Sequence, residues 1–223
     1  GRTWLGIGGA WFEYEHAAAG IDFGSGFGQR LDWLDVAVSG MSAVLAGETV
    51  TSSDTGAYDF RDLEHHPLPY QGAGSLPILI GGGGEKKTLR TVATYAQGWN
   101  INGDVATAAH KAEVLRRHCE AVGRDPLDIE HTLVHFCVLR DDIDEARRVL
   151  QAALDANGSS HIIDPEHDFF GNEEQVAAQW RRYLEHGFTH LIVDIPSPFD
   201  LETIERLPRL RELVAEGLPP GLS

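Results

Sequence analysis

Basic residues are scarce in this chain: 18 lysines and arginines stand against 34 aspartates and glutamates, a formal charge of −16 over 223 residues. That balance repels phosphate backbones and anionic lipid, so neither nucleic acid nor a membrane is an expected partner. Cysteine is nearly absent. Cys119 and Cys137 stand singly, without metal-ligand spacing, which fits free thiols serving as small apolar residues in a reducing compartment. No apolar run approaches the roughly 18 residues of a membrane span, and residues 1–10 lack the basic-then-apolar order of a secretory signal. The cytoplasm is the expected location. The eleven histidines include no H-E-x-x-H or other recognisable metal spacing; His65 and His66 are adjacent, and His161 and His167 lie in a stretch without pattern. They read as surface or supporting groups, with no metal expected. A serine nucleophile is not favoured either, because Ser25 in GSG precedes a helix instead of ending a strand.

What is present suffices for a substantial core: 42% of the residues are hydrophobic and 23% charged, the balance of one globular domain or a large part of one. WLGIGGA, residues 4–10, is a short apolar run, and Leu31, Leu34, Val38, Met41 and Leu45 then mark one face of a helix that stops at Gly47. Residues 48–76 lose periodicity. With Asp54 and Gly56 between two β-prone runs, they read as an inserted surface hairpin. PILIG is a strand, followed by a helix with Leu89, Val92, Ala93 and Ala96 on its face; GWNIN is the next strand. Asp104 caps a helix whose face runs Val105, Ala109, Ala112, Leu115, Cys119 and Val122. Residues 129–139 form a fourth strand, and Asp142 with Glu145 has the spacing of a capping box for a helix ending at Gly158. Residues 159–171 read as a His- and Asp-rich loop. Asn172 with Gln175 is a second capping box, for a helix closing at Gly187, and THLIVDIP is a fifth strand. Pro208 divides the last segment, Leu201 to Glu216, into two expected short helices.

Five apolar strands, each followed by a helix, describe a parallel α/β sheet covered by helices. A closed eight-unit barrel needs roughly 250 residues, whereas an open doubly wound sheet of five strands would suit the length; the pattern is compatible with either. Between strand and helix, GGGGEKKTL places unblocked backbone N–H groups at the positive end of a helix dipole, which favours a phosphate. It matches neither the P-loop nor the dinucleotide fingerprint. GIGGAWFEYEH makes a strand-to-loop transition earlier, with Gly8 and Gly9 permitting close approach, Trp11 offering a flat apolar wall, and Glu13, Tyr14, Glu15 and His16 offering polar groups in a loop at the mouth. Both glycine stretches are expected to border one cavity at the carboxyl ends of the strands.

Taken in order, WLGIGGAWFEYEH, RLDWLDVAV, GETVTSSDTGAYDF, PILIGGGGEKKTLRTVATYAQGWN and GNEEQVAAQWRRYLEHGFTHLIVD resemble the bacterial luciferase-like monooxygenase superfamily, and within it the actinobacterial branch that uses the deazaflavin coenzyme F420. The resemblance covers nearly the whole chain. It implies a (β/α)8 TIM barrel of the luciferase-like type, of which this chain holds the C-terminal five βα units, with a small organic substrate and with a homodimer as one assembly state. It further implies that Gly9, Ala10 and Trp11 approach the coenzyme ring with Tyr14 close by, that Gly81, Gly82, Gly83 and Gly84 cradle its phosphate, and that Asn102 stands near the tail. Family members carry three more βα units before the point where this chain starts, so an N-terminally truncated sequence is the expectation, an unusual partial barrel the alternative. Some relatives have a glutamate general acid where Trp11 stands, so the proton donor does not carry over; Glu13 and His16 are catalytic candidates by sequence proximity alone. FMN in a monooxygenase would use the same scaffold. A sugar-phosphate isomerase or lyase would need a strand-end lysine, and Lys86, Lys87 and Lys111 all read as helical; a non-catalytic remnant is the third alternative.

Overall fold

All five expected strand-to-helix transitions occur in the computed structural model, which describes residues 2–52 and 58–216. The fold is parallel α/β. The chain divides into two compact units, one comprising residues up to Asn100 with Glu113–Glu130, the other Ile101–Ala112 with the residues from His131 onward.

The first unit begins with strand β1 (Leu5–Gly8), then helices α1 (Glu13–Ala19) and α2 (Phe27–Leu45), the hairpin strands β2 (Val50–Ser52) and β3 (Phe60–Leu63), strand β4 (Ile78–Gly81), helix α3 (Thr88–Tyr95) and strand β5 (Gly98–Ile101). β4 lies between β1 and β5, parallel to both, with Gly8 opposite Gly81 and Ile80 opposite Trp99. Helix α2 buries Leu31, Leu34, Val38 and Leu45 as its periodicity predicts, while Met41 is only partly buried and Gly40 and Val44 join the core. Gly40 is needed there, because a β-carbon would sit 2.8 Å from the Phe60 ring of the hairpin. β2 and β3 pair antiparallel as expected, and the expected turn residues Asp54 and Gly56 lie outside the described residues. The α3 face, Leu89, Val92, Ala93 and Ala96, is fully buried.

Helix α1 corrects the sequence reading, which had placed Glu13 to His16 in a loop. Glu13 and Glu15 complement the dipole in its first turn, three alanines follow, and Gly20, at φ 67°, closes it with N–H bonds from Gly20 to Ala17 and from Ile21 to His16. That pair of bonds is a Schellman cap, which a helix as short as seven residues needs in order to persist.

Helix α4 (Val105–Val122) starts where Asp104 accepts from the Thr107 amide at 2.7 Å; its buried positions include Ala108, Leu115 and Cys119, whereas Val122 of the expected face is exposed. In the second unit β6 (Glu130–Leu139) pairs in parallel with β7 (Phe169–Gly171) at its carboxyl end and with β8 (Phe188–Asp194) along His131 to Phe136. Helix α5 (Ile143–Ala156) is capped by the Asp142 carboxylate, and α6 (Glu173–Leu184) by the full Asn172–Gln175 box. Ala146, Leu150 and Leu154 of α5 pack with Val138, Ile163 and Phe170. β7 corrects the second expectation: Phe169 and Phe170, within the stretch read as a loop, gain burial by adding a short strand to β6.

The third correction is helix α7 (Leu201–Ala215), which runs through Pro208 without dividing. Proline removes one donor from a helix interior, about 3 kcal/mol in isolation, so contacts from outside must hold the two halves in line. On one side Thr203 Oγ1 accepts from the Leu139 amide at 2.9 Å, and Arg206 binds Glu173 at 2.6 Å. On the other, Arg181 donates to the Leu213 carbonyl at 3.0 Å. The buried Arg140 guanidinium adds a two-pronged pair with Asp200, at 2.8 and 2.9 Å, ahead of the first turn.

Both cysteines are buried and free, as expected of apolar filler, and burial pushes the Cys137 thiol up to about 12. Burial also pushes His131 down to about 4, a backbone hydrogen bond at His186 opposing it. A base depressed in the folded state costs nothing above its unfolded pKa near 6.5 and destabilises as pH falls through the interval to 4. Folding stability is therefore expected to drop by about 2–3 kcal/mol from His131 alone between pH 6.5 and pH 4. Urea melts across that interval check it: a His131→Phe variant should lose less stability on acidification than the parent, and equal losses would remove His131 as the cause.

Candidate functional site

The carboxyl ends of β1 and β4 bring the two glycine stretches side by side. Gly8 faces Gly81 across the ladder, and a β-carbon on Gly8 would lie 3.4 Å from the Gly81 carbonyl. At Gly9 a β-carbon would press to 2.7 Å on Leu31 of α2, so the chain leaves the strand close against that helix. Ala10 then adopts φ 55°, a left-handed conformation that costs a non-glycine residue about 1–2 kcal/mol. Arg30 holds it there. Its Nε donates to the Ala10 carbonyl and its Nη1 to the Phe23 carbonyl, both at 3.2 Å, with the guanidinium 3.8 Å above the Phe23 ring centroid.

These residues line a cleft of about 490 Å³, to which Gly8, Gly9, Ala10, His16, Arg30 and Trp33 all contribute. His16 is one turn into α1; its Nδ1 lies 3.3 Å from the Phe12 carbonyl and its ring meets Phe23 edge-on at 4.9 Å. With Nδ1 donating to that carbonyl, Nε2 is left as a proton acceptor. Glu13 is exposed at the start of α1 and does not line the cleft. Trp11 is 85% exposed and stacked on Phe12, and Tyr14 is likewise exposed, so the flat wall expected of Trp11 faces outward.

Gly81 to Gly84 stand at the neighbouring strand end, outside the lining of that cleft. Gly82, at φ 129°, donates its amide to Asn100, and the fully buried Trp99 donates its indole N–H to the Gly82 carbonyl at 2.9 Å. Trp99 is thus a core residue that fixes the loop from below. A β-carbon on Gly84 would meet Thr88 Oγ1 at 2.7 Å, while the Gly84 carbonyl accepts from Leu89 as α3 begins. The amides of Gly83 and Gly84 have no protein acceptor among the described residues. Two such N–H groups just ahead of the turn that leads into α3, with no side chain in the way, form a cradle that could hold an anion. Lys87 does not compete for that place, because its Nζ is bound to Asp32 at 2.7 Å and to the Gly28 carbonyl. Asn102 follows β5, exposed, in the second unit.

The sequence reading missed Arg30 and Trp33, whose part appears only when α2 folds back on the first strand end. It also missed a cluster in the second unit. His161 Nε2 is 2.7 Å and His167 Nδ1 3.2 Å from opposite oxygens of the buried Asp168 carboxylate. Burial would raise the Asp168 carboxyl, but hydrogen bonds from His167, the Asp164 amide and His161 hold it below its usual range; His167 is raised by the same contact. Beside them His135 is buried and pushed down to about 3, by burial first and by the proximity of His167 second. An H-x5-H-D pattern was the available signal; that histidine spacing occurs in zinc sites beside a cysteine pair, which this stretch lacks.

Among the described residues no helix is long and apolar enough to cross a membrane. The sequence model of the luciferase-like monooxygenase family matches residues 1–197. No curated protein is similar enough in sequence to match. Of solved structures, an F420-dependent secondary alcohol dehydrogenase in complex with an F420-acetone adduct superposes with a TM-score of 0.77 at 17% identity, over 96% of this chain and 70% of that one. The coenzyme F420-dependent tetrahydromethanopterin reductase of Methanopyrus kandleri gives 0.69 at 16%, over 100% and 75%. Monooxygenase RslO1 of Streptomyces bottropensis gives 0.71 at 19%, over 100% and 70%. At these identities the superpositions establish the parallel α/β architecture shared with luciferase-like barrels, and the family match adds the lineage: the chain belongs to the luciferase-like monooxygenase family, a family of oxidoreductases.

Proposed function

We propose that this chain is a coenzyme F420-dependent oxidoreductase acting on a small organic substrate. The observation that carries the reading is the pair of unpartnered amides at Gly83 and Gly84, one strand over from a cleft bordered by Gly8, Gly9 and Ala10. A tailed redox heterocycle needs both an anion cradle and bare backbone nearby. Gly81 to Gly84 would hold the phosphate of the tail, and Gly9 and Ala10 would let the ring approach the peptide plane. When bound, the deazaflavin supplies a hydride at its carbon 5. The chain's part is to orient the substrate, exclude water and handle a proton; His16 serves the last purpose, since it lines the cleft and its Nε2 is free to accept. Glu13, exposed on the outer side of the same helix start, is the weaker of the two candidates. Trp11 and Tyr14, exposed beside the mouth, are available to cover a bound ring.

FMN is the second reading, favoured by the family itself and by a monooxygenase among the similar folds, since the same cradle would hold its phosphate. Titration of the purified chain with coenzyme F420 and with FMN, followed by coenzyme fluorescence, separates the two. Saturable quenching of the deazaflavin at micromolar concentration with weak or no response to FMN is the expected result. Tight binding of FMN alone transfers the proposal to a flavin monooxygenase, and binding of neither by a folded chain overturns both.

A further inference from the structure

The His161–His167–Asp168 cluster lies in the second unit, and nothing in the proposed oxidoreductase chemistry uses it. The Asp168 carboxylate is fully buried, while the two imidazoles are about a quarter and a fifth exposed, so the group opens to solvent from the histidine side. One ligating atom from each of the three residues lies within 4.8 Å of the others. Around an ion with bonds of about 2.0–2.2 Å, tetrahedral ligand atoms stand roughly 3.4 Å apart, so the three need converge by little more than 1 Å. The backbone that carries them is already fixed. Asp168 accepts from the Asp164 amide at 2.9 Å, the amides of His167 and Asp168 both bond to the Asp164 carbonyl, and Gln179 clasps the Pro165 carbonyl at 3.1 Å.

A buried carboxylate between two imidazoles could be a clasp and nothing more. A second feature points beyond that. His135 is 2% exposed, both of its ring nitrogens lack a hydrogen-bond partner among the described residues, and its ring stands edge-on to His167 at 4.6 Å between centroids. An imidazole always carries at least one N–H, and when neutral one lone pair, so such burial leaves polar capacity unmet. A water carried by an ion beside His167 would supply a partner that His135 lacks. Asp104 and Asp164 add negative charge around His167.

We infer that His161, His167 and Asp168 form a binding site for a divalent transition-metal ion of the zinc class, with His135 completing its surroundings. Two nitrogens and one carboxylate oxygen suit Zn²⁺ and Co²⁺ and do not suit Ca²⁺ or Mg²⁺, which favour all-oxygen sets. Binding replaces the two contacts to Asp168, each neutral imidazole keeping its N–H on the nitrogen that the ion does not use, and leaves at least one position on the ion for water.

The full chain, stripped with a chelator and dialysed, is titrated with Co²⁺ by visible absorption and with Zn²⁺ by calorimetry. One equivalent, with cobalt bands of four- or five-coordinate intensity, is expected. His161→Gln, on the open side of the cluster, is expected to weaken Zn²⁺ affinity by about 10–100-fold with unchanged circular dichroism, and His135→Phe by a smaller factor. His65→Gln with His66→Gln, remote in sequence on the hairpin loop, should leave the affinity unchanged. Octahedral cobalt spectra, affinity unaltered in His161→Gln, or affinity lost in the His65/His66 variant would each overturn the site. Should Asp168→Asn fail to fold, the His161 and His135 variants still decide the matter.

Discussion

Gly84→Val is expected to lower the affinity for coenzyme F420, or for FMN if that is the coenzyme bound, by about 100-fold or more. The added β-carbon would meet Thr88 Oγ1 at 2.7 Å, and Thr88 is buried, so the loop must shift instead of the side chain. Shifting it misaligns the Gly83 and Gly84 amides. Two hydrogen bonds to a charged phosphate are worth roughly 1.5–3 kcal/mol each, and every 1.4 kcal/mol is tenfold in affinity. Gly84→Ala makes the same clash with less bulk and should fall between the parent and the valine variant. Fluorescence titrations of the three proteins, each shown by urea melt to be folded at the assay temperature, test the idea. Undiminished binding in the valine variant would sink the cradle while leaving the family assignment standing.

The second large effect concerns Trp99. Replacement by alanine removes one of the largest fully buried side chains and is expected to cost about 3–5 kcal/mol, read from denaturant melts. Phenylalanine tests a different part of the same contact. It keeps most of the buried ring and deletes only the N–H that reaches the Gly82 carbonyl, so a loss of about 1–2 kcal/mol is expected. Because that bond ties the glycine turn to β5, Trp99→Phe should weaken coenzyme binding more than its modest stability loss suggests. Parallel loss of stability with unchanged binding would show that the indole supports the core and not the loop.

The elements legible in the sequence were those whose local signals agreed with their tertiary surroundings. Helix α3 shows four apolar positions at helical spacing and buries all four; Asn172 and Gln175 announce the start of α6 and make both bonds of the capping box. Where local and tertiary signals conflicted, the local reading failed. α1 is seven residues long with none buried, so no periodicity could mark it. Pro208 reads as a break, and only contacts from Leu139, Glu173 and Arg181 keep α7 in one piece. At the candidate site the glycines were visible as a run of one residue type, which Gly82 needs for its φ of 129° and Gly9 and Gly84 need because a β-carbon would clash. Arg30 was not, since nothing in a chain announces that a side chain will reach a carbonyl twenty residues earlier. The histidine cluster was hidden for the same reason: His135 comes from a strand, and its neighbours come from a loop more than twenty residues later.

The unbroken course of α7 also says something about order of assembly. With one rung of its ladder absent, this segment has no reason to be straight on its own, and its shape is borrowed from the strand and helix that grip it. Its completion is therefore expected to wait on β6 and α6, which makes the last described helix a dependent addition to its unit.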